Sequence, residues 1–461
     1  MSDVRAGLAD SNDPGGSTEP LNERVEGLAW PLLLLLVGIS AIGPVTMNGV
    51  LPATSAVMID LQTSYGTAQL VLTVFLIATF AAQIVLGRAA DRYGRRPVMV
   101  FGLAVFTVGS LLCSISPNIE ALLAGRFVQG FGASVCVFLP RTIVRDAWSR
   151  DRAASVIGWM TTAMMVAPLF GPALGGWVTD TLDWHWMYRG LALIGLVFTL
   201  LAALFQRETL GMSSHARSAT SVASVAVPVT AGKGAVTEAV TGAGAVVAHG
   251  ATGRPGQPGP ARDPGAMRLL WGEASFRSLA LLLAGSVGVY YSFLAGAPYL
   301  AMERRGMAAS DYGLWFGMVG IGYLAGNLVA GSLSARLGAF RMIRLGLVPM
   351  GAGIVAFWLA SGSTHPVALF LPMQLFAFSN GMSLPNVISA AMSVRPELAG
   401  TASGLAGSLQ TGSGVLLTLA IGFVLPSGDL WLPAAMSLCV LLAFYGALSS
   451  PDIELFSAAR R

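Results

Sequence analysis

The chain has 461 residues, of which 54% are hydrophobic and only 11% are charged, and its net charge is +4. A soluble domain carries about 25% charged residues, so this composition excludes a water-soluble fold and indicates a membrane protein. The basic residues lie in short loops between apolar runs, which excludes a nucleic-acid-binding surface, and the three cysteines have no metal or disulfide spacing.

Twelve apolar runs follow one another along the chain, each long enough to cross a bilayer as a helix. A spanning helix needs about 20 residues, whereas a barrel strand needs about 10 residues with strict alternation. The sequence therefore predicts an all-α membrane protein. The predicted helices cover residues 30–52, 67–87, 97–116, 120–143, 154–178, 187–206, 276–299, 312–333, 342–361, 366–391, 401–425 and 430–449.

The segments between the runs predict the topology. Placing the N-terminus inside puts most of the basic residues on the cytoplasmic side, so both termini are expected to be cytoplasmic. Residues 1–29 and 450–461 are then tails, flanking six-helix halves over 30–206 and 276–449. Residues 207–275 are rich in Gly, Ala, Val, Thr and Pro and predict a flexible cytoplasmic linker. A regulatory docking segment is the alternative.

A short loop pattern recurs in both halves. Gly87, Arg92 and Gly94 follow the second helix with the same spacing that Gly331, Arg336 and Gly338 show after the eighth. Such repetition is typical of transporters built from two parallel repeats, which hold substrate between the halves near the bilayer midplane.

Three motifs identify a family. The loop after the second helix reads GRAADRYGRRP (87–97), the fourth helix contains RFVQG (126–130), and the fifth contains PLFGPALGG (168–176). The chain resembles the major facilitator superfamily and, within it, the Bcr/CflA drug-resistance branch of drug:proton antiporters. The resemblance implies a major-facilitator fold of 12 transmembrane helices in two six-helix halves, working by alternating access in the bacterial inner membrane.

The loop motif predicts a conformational latch. Glycine at 87 is expected to allow close helix packing, and an aspartate among arginines can form ion pairs that join the two halves in the family. The alternative is that the arginines only set the topology. The latch residues are Gly87, Asp91, Arg92, Gly94, Arg95, Arg96 and Asp146.

The glycines and proline of the fifth helix predict a hinge and seal between the halves. Proline removes an internal hydrogen bond, and glycines let another helix approach closely. A merely kinked helix is the alternative. The hinge residues are Gly171, Pro172, Gly175 and Gly176.

Two residues dominate the expected cavity. An arginine inside a spanning helix costs about 2.5–3.5 kcal/mol, so Arg126 is expected to face the cavity and bind substrate or tune a proton site, the alternative being snorkelling to the outer interface. Asn48 stands where this branch usually has an aspartate, and no carboxylate is expected at mid-membrane. The remaining cavity candidates are Gln83, Met47, Phe75, Phe138, Met164, Met165, Tyr290, Tyr291, Trp315, Asn380 and Gln410.

The resemblance implies export of small amphiphilic compounds, including antibiotics, and the cavity residues predict that these compounds are neutral or zwitterionic. Proton antiport is implied by the resemblance alone, because an amide at position 48 does not titrate. The expected partners are a small-molecule substrate, protons and the lipid bilayer, and the protein is expected to be a monomer. No phosphate-binding loop or nucleophile–base pair indicates a cofactor or an enzyme. The alternatives are an uptake symporter or facilitator on the same fold, and a receptor or assembly protein without transport.

Overall fold

The computed structural model describes residues 21–147, 156, 160, 164, 166–206, 208, 264–395 and 398–449. The predicted tails, apart from residues 21–29, and the predicted linker before residue 264, apart from Glu208, lie outside these ranges, as does Met165. Within them the chain is helical apart from short turns, so the predicted all-α fold is confirmed.

The first half contains seven helices in the described ranges. Pro52 follows the first long helix in a short 3-10 turn, so the chain continues as a separate short helix to Asp60 instead of ending at residue 52. The helices are α1 (Leu21–Gly49), α2 (Thr54–Asp60), α3 (Tyr65–Tyr93), α4 (Arg95–Ser114), α5 (Ile119–Ala147), α6 (Val166–Thr181) and α7 (Trp184–Phe205).

The second half contains a further seven helices. The short helix α8 occupies the end of the predicted linker, a stretch that composition alone did not mark as helical. The helices are α8 (Pro264–Gly272), α9 (Ala274–Pro298), α10 (Ala309–Leu337), α11 (Ala339–Leu359), α12 (Pro366–Val394), α13 (Ala399–Val424) and α14 (Trp431–Leu448).

Eleven helical segments among the described residues are long and apolar enough to cross a membrane. They correspond in order to eleven of the twelve predicted spans. The remaining prediction, 154–178, is described continuously only from Val166 onwards, within α6.

The recurring loop has the same backbone geometry in both halves. Gly94, between α3 and α4, has φ +106°, and Gly338, between α10 and α11, has φ +82°. Both values lie in the left-handed region that a side chain disfavours, which explains glycine at both positions. We call the end of the bundle that carries these two turns the arginine end, because Arg92, Arg95 and Arg336 lie there.

Each half has its own hydrophobic core. One core consists of first-half residues such as Leu36, Phe106 and Trp184, and the other is formed mainly by α9, α10, α12 and α14. The halves meet through α6 against α10 and through α3 against α13. Four first-half residues join the second core where the halves meet, namely Leu51, Tyr65, Leu72 and Leu76.

The contacts between the halves concentrate at the end opposite the arginines, which we call the closed end. A Cβ on Gly176 would overlap the carbonyl of Ala309, and a Cβ on Gly313 would overlap the carbonyl of Pro172. The Tyr65 hydroxyl donates to the Ala295 carbonyl across the halves. Backbone thus meets backbone here, which small residues permit.

The arginine end is spacious by comparison. A Cβ added to any of four glycines there would meet no atom within 4 Å, namely Gly87, Gly331, Gly404 and Gly407. Gly87 therefore faces open space in this structure and not the close helix neighbour that the sequence predicts. None of these four glycines meets the other half within that distance, whereas Gly176 and Gly313 do so at the closed end.

Candidate functional site

A cavity of about 390 Å³ lies between the halves, beside the closed end. Helices α1, α3, α5, α9, α10, α12 and α13 contribute to its wall. The lining residues are Gly43, Pro44, Met47, Asn48, Phe75, Leu76, Thr79, Gln83, Ala133, Val137, Met164, Val287, Tyr290, Tyr291, Phe316, Val319, Gly320, Tyr323, Met373, Ala377, Asn380, Leu384, Gln410 and Thr411.

Most of the cavity candidates from the sequence meet in this wall. The lining includes Met47, Asn48, Phe75, Gln83, Met164, Tyr290, Tyr291, Asn380 and Gln410. Phe138 and Trp315 lie outside it, and their chain neighbours Val137 and Phe316 line it instead. Because one residue turns a helix by 100°, each choice differs from the structure by one step around its helix.

Several lining residues were missed by the sequence reasoning. Thr79 lies one turn before Gln83 on α3, and Thr411 directly follows Gln410 on α13. Thr79 could have been identified from the sequence, because residues four apart lie on the same face of a helix and Gln83 was already a candidate. Tyr323 gives no such signal, because aromatic residues are frequent throughout the spans.

The wall contains no charged side chain among the residues that line it in the described structure. Its polar groups are amides, hydroxyls and phenols, surrounded by aliphatic and aromatic side chains. An ion bound here would lose its hydration without gaining an opposite charge, at a cost of several kcal/mol. The cavity is thus suited to uncharged molecules.

Asn48 makes two defined hydrogen bonds at this wall. Its amide nitrogen donates to the Pro44 carbonyl at 2.9 Å, one turn back along α1. Its amide oxygen accepts from the hydroxyl of Tyr290, on α9 of the other half, also at 2.9 Å. Asn48 therefore links the two halves through a neutral bond.

Arg126 lies behind the cavity wall. It is only 1% exposed; its Nε donates to the Val71 carbonyl at 2.9 Å, and its Nη1 donates to Gln129 Oε1 at 2.7 Å. The guanidinium carbon lies 4.5 Å from the ring centre of Phe75. Phe75 lines the cavity and Arg126 does not, so the ring separates the cation from the space where substrate would bind.

Arg126 does not snorkel to an interface, because it is buried inside the first half. Gln129, which accepts from the arginine, donates in turn to Ser110 Oγ at 2.8 Å. A second ring, that of Tyr188, lies 5.9 Å from the guanidinium carbon. The cation is therefore stabilised inside the first half by a hydrogen-bonded network and by aromatic faces.

The residues of the expected latch cluster at the arginine end. Arg95 pairs with Asp91 at 2.6 Å and with Asp146 at 3.1 Å, joining α3, α4 and α5. Glu208 accepts from the backbone N–H groups of Arg95 and Arg96 at 2.8 and 3.1 Å. These contacts all lie within the first half. A bridge to the second half would require another arrangement of the halves.

The glycine motif of α6 contacts two helices at once. A Cβ on Gly175 would overlap the carbonyl of Gly49, which follows Asn48 on α1, and Gly171 also faces that helix. On the other side, Gly176 and Pro172 meet α10 through Ala309 and Gly313. The motif therefore lies where α1, α6 and α10 pack together at the closed end, and its role as a hinge and seal stays a prediction.

Metal coordination has no candidate site in the described residues, where no group of three or more His, Cys, Asp or Glu side chains converges. The three cysteines are buried as free thiols. The chemistry available in the cavity is hydrogen bonding and apolar contact.

Comparison with known proteins gives a consistent family. The family model described as Major Facilitator Superfamily matches residues 33–418. The uncharacterized MFS-type transporter YdgK of Bacillus subtilis (strain 168) is 25% identical over 422 residues, which cover 90% of this chain and 94% of that protein. Multidrug resistance protein D of Escherichia coli (strain K12) is 26% identical over 391 residues, covering 84% and 88% respectively.

Solved structures share the fold at low sequence identity. A bacterial homolog of the human lysosomal transporter Spinster, in an inward-facing and unoccupied conformation, has a TM-score of 0.64 at 15% identity and covers 96% of this chain and 98% of its own. A D-xylose-proton symporter has a TM-score of 0.66 at 13% identity, covering 92% and 97%. These likenesses concern the fold alone.

Proposed function

The chain belongs to the Major Facilitator Superfamily, as its three motifs predicted, and from that membership we propose that it exports small, uncharged amphiphilic compounds, antibiotics among them, by alternating access. The observation that carries the proposal is the uncharged cavity wall between the halves. Relatives named multidrug resistance proteins, such as protein D and MdtL of Escherichia coli, support efflux.

The proposed location is the bacterial inner membrane, with the arginine end in the cytoplasm. Basic loops are retained on the cytoplasmic side, and Arg92, Arg95, Arg96 and Arg336 are at this end. In that orientation we infer an inward-facing state, since the halves meet backbone to backbone at the closed end and four glycines at the arginine end meet no atom. A cytoplasmic compound could then enter the cavity directly.

The cavity favours neutral over cationic or anionic cargo. A cation would need an acid, which the wall lacks. An anion would need a cation in the wall, but Phe75 covers Arg126, and Arg141, which contacts the lining residue Met164, does not itself line the cavity. The zwitterionic class predicted from the sequence depended on Arg126 facing the cavity. Its position behind the wall leaves uncharged compounds as the better-supported class.

Proton antiport is the driving force that the resemblance implies, but a specific observation favours a second candidate. A coupling group must gain and lose a proton, and the wall offers only amides, hydroxyls and phenols. The alternative is a facilitator on the same fold, which equilibrates its substrate in either direction without a proton gradient.

Transport into everted vesicles distinguishes these functions. Radiolabelled chloramphenicol is supplied outside vesicles containing the protein, first with an inwardly acidic gradient and then after its collapse by nigericin. Uphill accumulation that disappears on collapse is expected for antiport, whereas equilibration at an unchanged rate is expected for a facilitator.

Two controls make the result specific. Vesicles without the protein measure passive entry, and ethidium tests whether a cation is carried. Efficient ethidium transport with no chloramphenicol transport would contradict the uncharged substrate class.

A further inference from the structure

The hydrogen bond between Tyr290 and Asn48 has a fixed direction. The Asn48 amide nitrogen donates to the Pro44 carbonyl at 2.9 Å, so the amide oxygen is the atom that faces α9. The Tyr290 hydroxyl must therefore be the donor across the 2.9 Å that separate it from that oxygen. One half supplies the donor, and the other supplies the acceptor.

This bond lies next to the seal between the halves. Gly49, the residue after Asn48, is the point where α1 meets Gly175 of α6. Tyr290 lies on α9, whose later residue Ala295 accepts from Tyr65 of the first half. Parting the halves at the closed end would move α1 and α3 away from α9 and would break both bonds.

A broken bond leaves two polar groups in an apolar wall. Asn48 is only 1% exposed, and the nearby lining includes Met47, Pro44 and Val287. An unpaired buried donor or acceptor is unfavourable, so the closed end is held until something replaces the lost partners. A ligand in the cavity is the available replacement.

We propose that substrate inserts a neighbouring hydrogen-bond acceptor and donor between Tyr290 and Asn48, and that this exchange releases the halves at the closed end. The ligand acceptor receives the Tyr290 O–H, and the ligand donor binds the Asn48 amide oxygen. A secondary amide carries both groups on adjacent atoms. The inference rests on the proposed function, because it names the substrate class of the same cavity.

The exchange also explains why an uncharged pair serves at this position. A carboxylate at position 48 would hold the Tyr290 hydroxyl more strongly, because hydrogen bonds to ionised acceptors are about twice as strong as neutral ones. A neutral amide can be matched by a neutral ligand of the same chemistry. Tyr290 and Asn48 are thus specificity-determining residues.

The distance between the two halves at the closed end can be measured by double electron–electron resonance between two spin labels. The labels are placed by Ile115→Cys in the first half and Gly362→Cys in the second; Ile115 is 69% exposed, and a Cβ on Gly362 meets no atom within 4 Å. The three buried native cysteines are replaced by alanine, and the full chain is studied in nanodiscs.

Two matched probes test the ligand chemistry. N-octylbenzamide is a secondary amide with donor and acceptor, and N-methyl-N-octylbenzamide lacks only the donor. The secondary amide is expected to raise the population with the longer label distance about fivefold, the value of one neutral hydrogen bond, and the tertiary amide should leave it near the unliganded level.

Tyr290→Phe removes the hydroxyl and retains the ring. The variant is expected to raise the long-distance population about fivefold without ligand and to respond equally to the two amides. Tyr445→Phe is the control, because that tyrosine of α14 is 64% exposed and does not line the cavity. Asn48→Leu removes the acceptor and should reproduce Tyr290→Phe if that variant folds poorly.

The proposal is overturned if both Tyr290→Phe and Asn48→Leu behave as the unsubstituted protein, or if the two amides act equally on the unsubstituted protein. This readout is independent of transport. If chloramphenicol is transported but the label distance does not respond specifically to the secondary amide, the proposed exchange is wrong and the proposed export function stands. If the label distance responds only to the secondary amide but the vesicles transport no chloramphenicol, the result supports the proposed exchange and contradicts the proposed export function.

Discussion

The Asp180 carboxylate accepts a hydrogen bond from the backbone N–H of Ser310 at 2.8 Å. Asp180 lies in the last turn of α6, and Ser310 lies in the first turn of α10, so a side chain of one half caps a helix of the other. The N-terminus of a helix carries unpaired N–H groups and a partial positive charge, which favour an anion there. The cap therefore contributes to the closed end only while the halves are joined.

Asp180→Ala should weaken the closed end. Loss of an N-cap acceptor costs about 1 kcal/mol, so the population with a separated closed end should rise about fivefold. The spin-label pair at positions 115 and 362 measures it. Asp180→Asn retains an acceptor oxygen and should change the population less; an equal effect of both substitutions would contradict a capping role.

Gly175→Ala should prevent normal packing of α6 against α1. The added Cβ overlaps the Gly49 carbonyl, and backbone atoms cannot move aside as a flexible side chain can. Overpacking of this kind costs about 1–3 kcal/mol, so chloramphenicol transport and thermal stability should both fall. Gly190→Ala is the control, because a Cβ there meets no atom within 4 Å. If the two variants are equally stable, the Cβ at position 175 does not overlap the Gly49 carbonyl as expected.

Gly94→Ala and Gly338→Ala separate backbone strain from side-chain overlap. Both glycines combine a positive φ with an extended ψ, a region that is open almost only to glycine, so either substitution should cost about 1–3 kcal/mol. Only at Gly94 does the new Cβ also meet the Glu208 carboxylate, which binds the first N–H groups of α4. Gly94→Ala should therefore lower the unfolding temperature more. Equal losses would show that Glu208 moves freely away.

Phe75→Ala should bring Arg126 into contact with the cavity. The ring lies 4.5 Å from the guanidinium carbon and also lines the cavity, so removing it exposes the cation. Binding of an anionic amphiphile such as decanoate, measured calorimetrically in nanodiscs, should become about tenfold tighter, a gain of about 1.4 kcal/mol. Leu76→Ala, a neighbouring change in the same wall, should not have this effect. The same gain in both variants would point to cavity size alone.

Asn48→Asp should make transport depend on pH. A carboxylate at this position accepts from Tyr290 when ionised and becomes a weaker acceptor when protonated, so high pH should favour the joined closed end. Chloramphenicol flux in vesicles should then respond more strongly to an imposed proton gradient than it does in the unsubstituted protein. Asn48→Gln, which adds no titratable group, is the control. An identical response in both variants would mean that position 48 is not accessible to protons.

The sequence predicted the spans and the motif positions well, since both depend on local composition. The lengths of the apolar runs predicted the order of the helices, and the repeated glycine–arginine–glycine spacing marked the two loops that contain Gly94 and Gly338. The α2 helix and α8 were not predicted. Each is shorter than 10 residues, which is well below the about 20 residues by which spans were identified.

The cavity was harder to predict, because composition does not tell which face of a helix meets the other half. Val137 and Phe316 line the wall where the larger neighbours Phe138 and Trp315 were expected. The cost of burying a charge predicted that Arg126 has hydrogen-bond partners. It did not predict whether the side chain faces the cavity or the interior of the first half. The partners are the Val71 carbonyl and Gln129, whose positions depend on how three helices pack.

The seal at Gly175, Gly176 and Gly313 consists of peptide groups touching peptide groups. The packing at these three glycines therefore does not depend directly on side chains a few helical turns away. The lining residue Val137 takes no part in these backbone contacts, so a substitution there is expected to change the cavity without changing the packing at Gly175, Gly176 and Gly313.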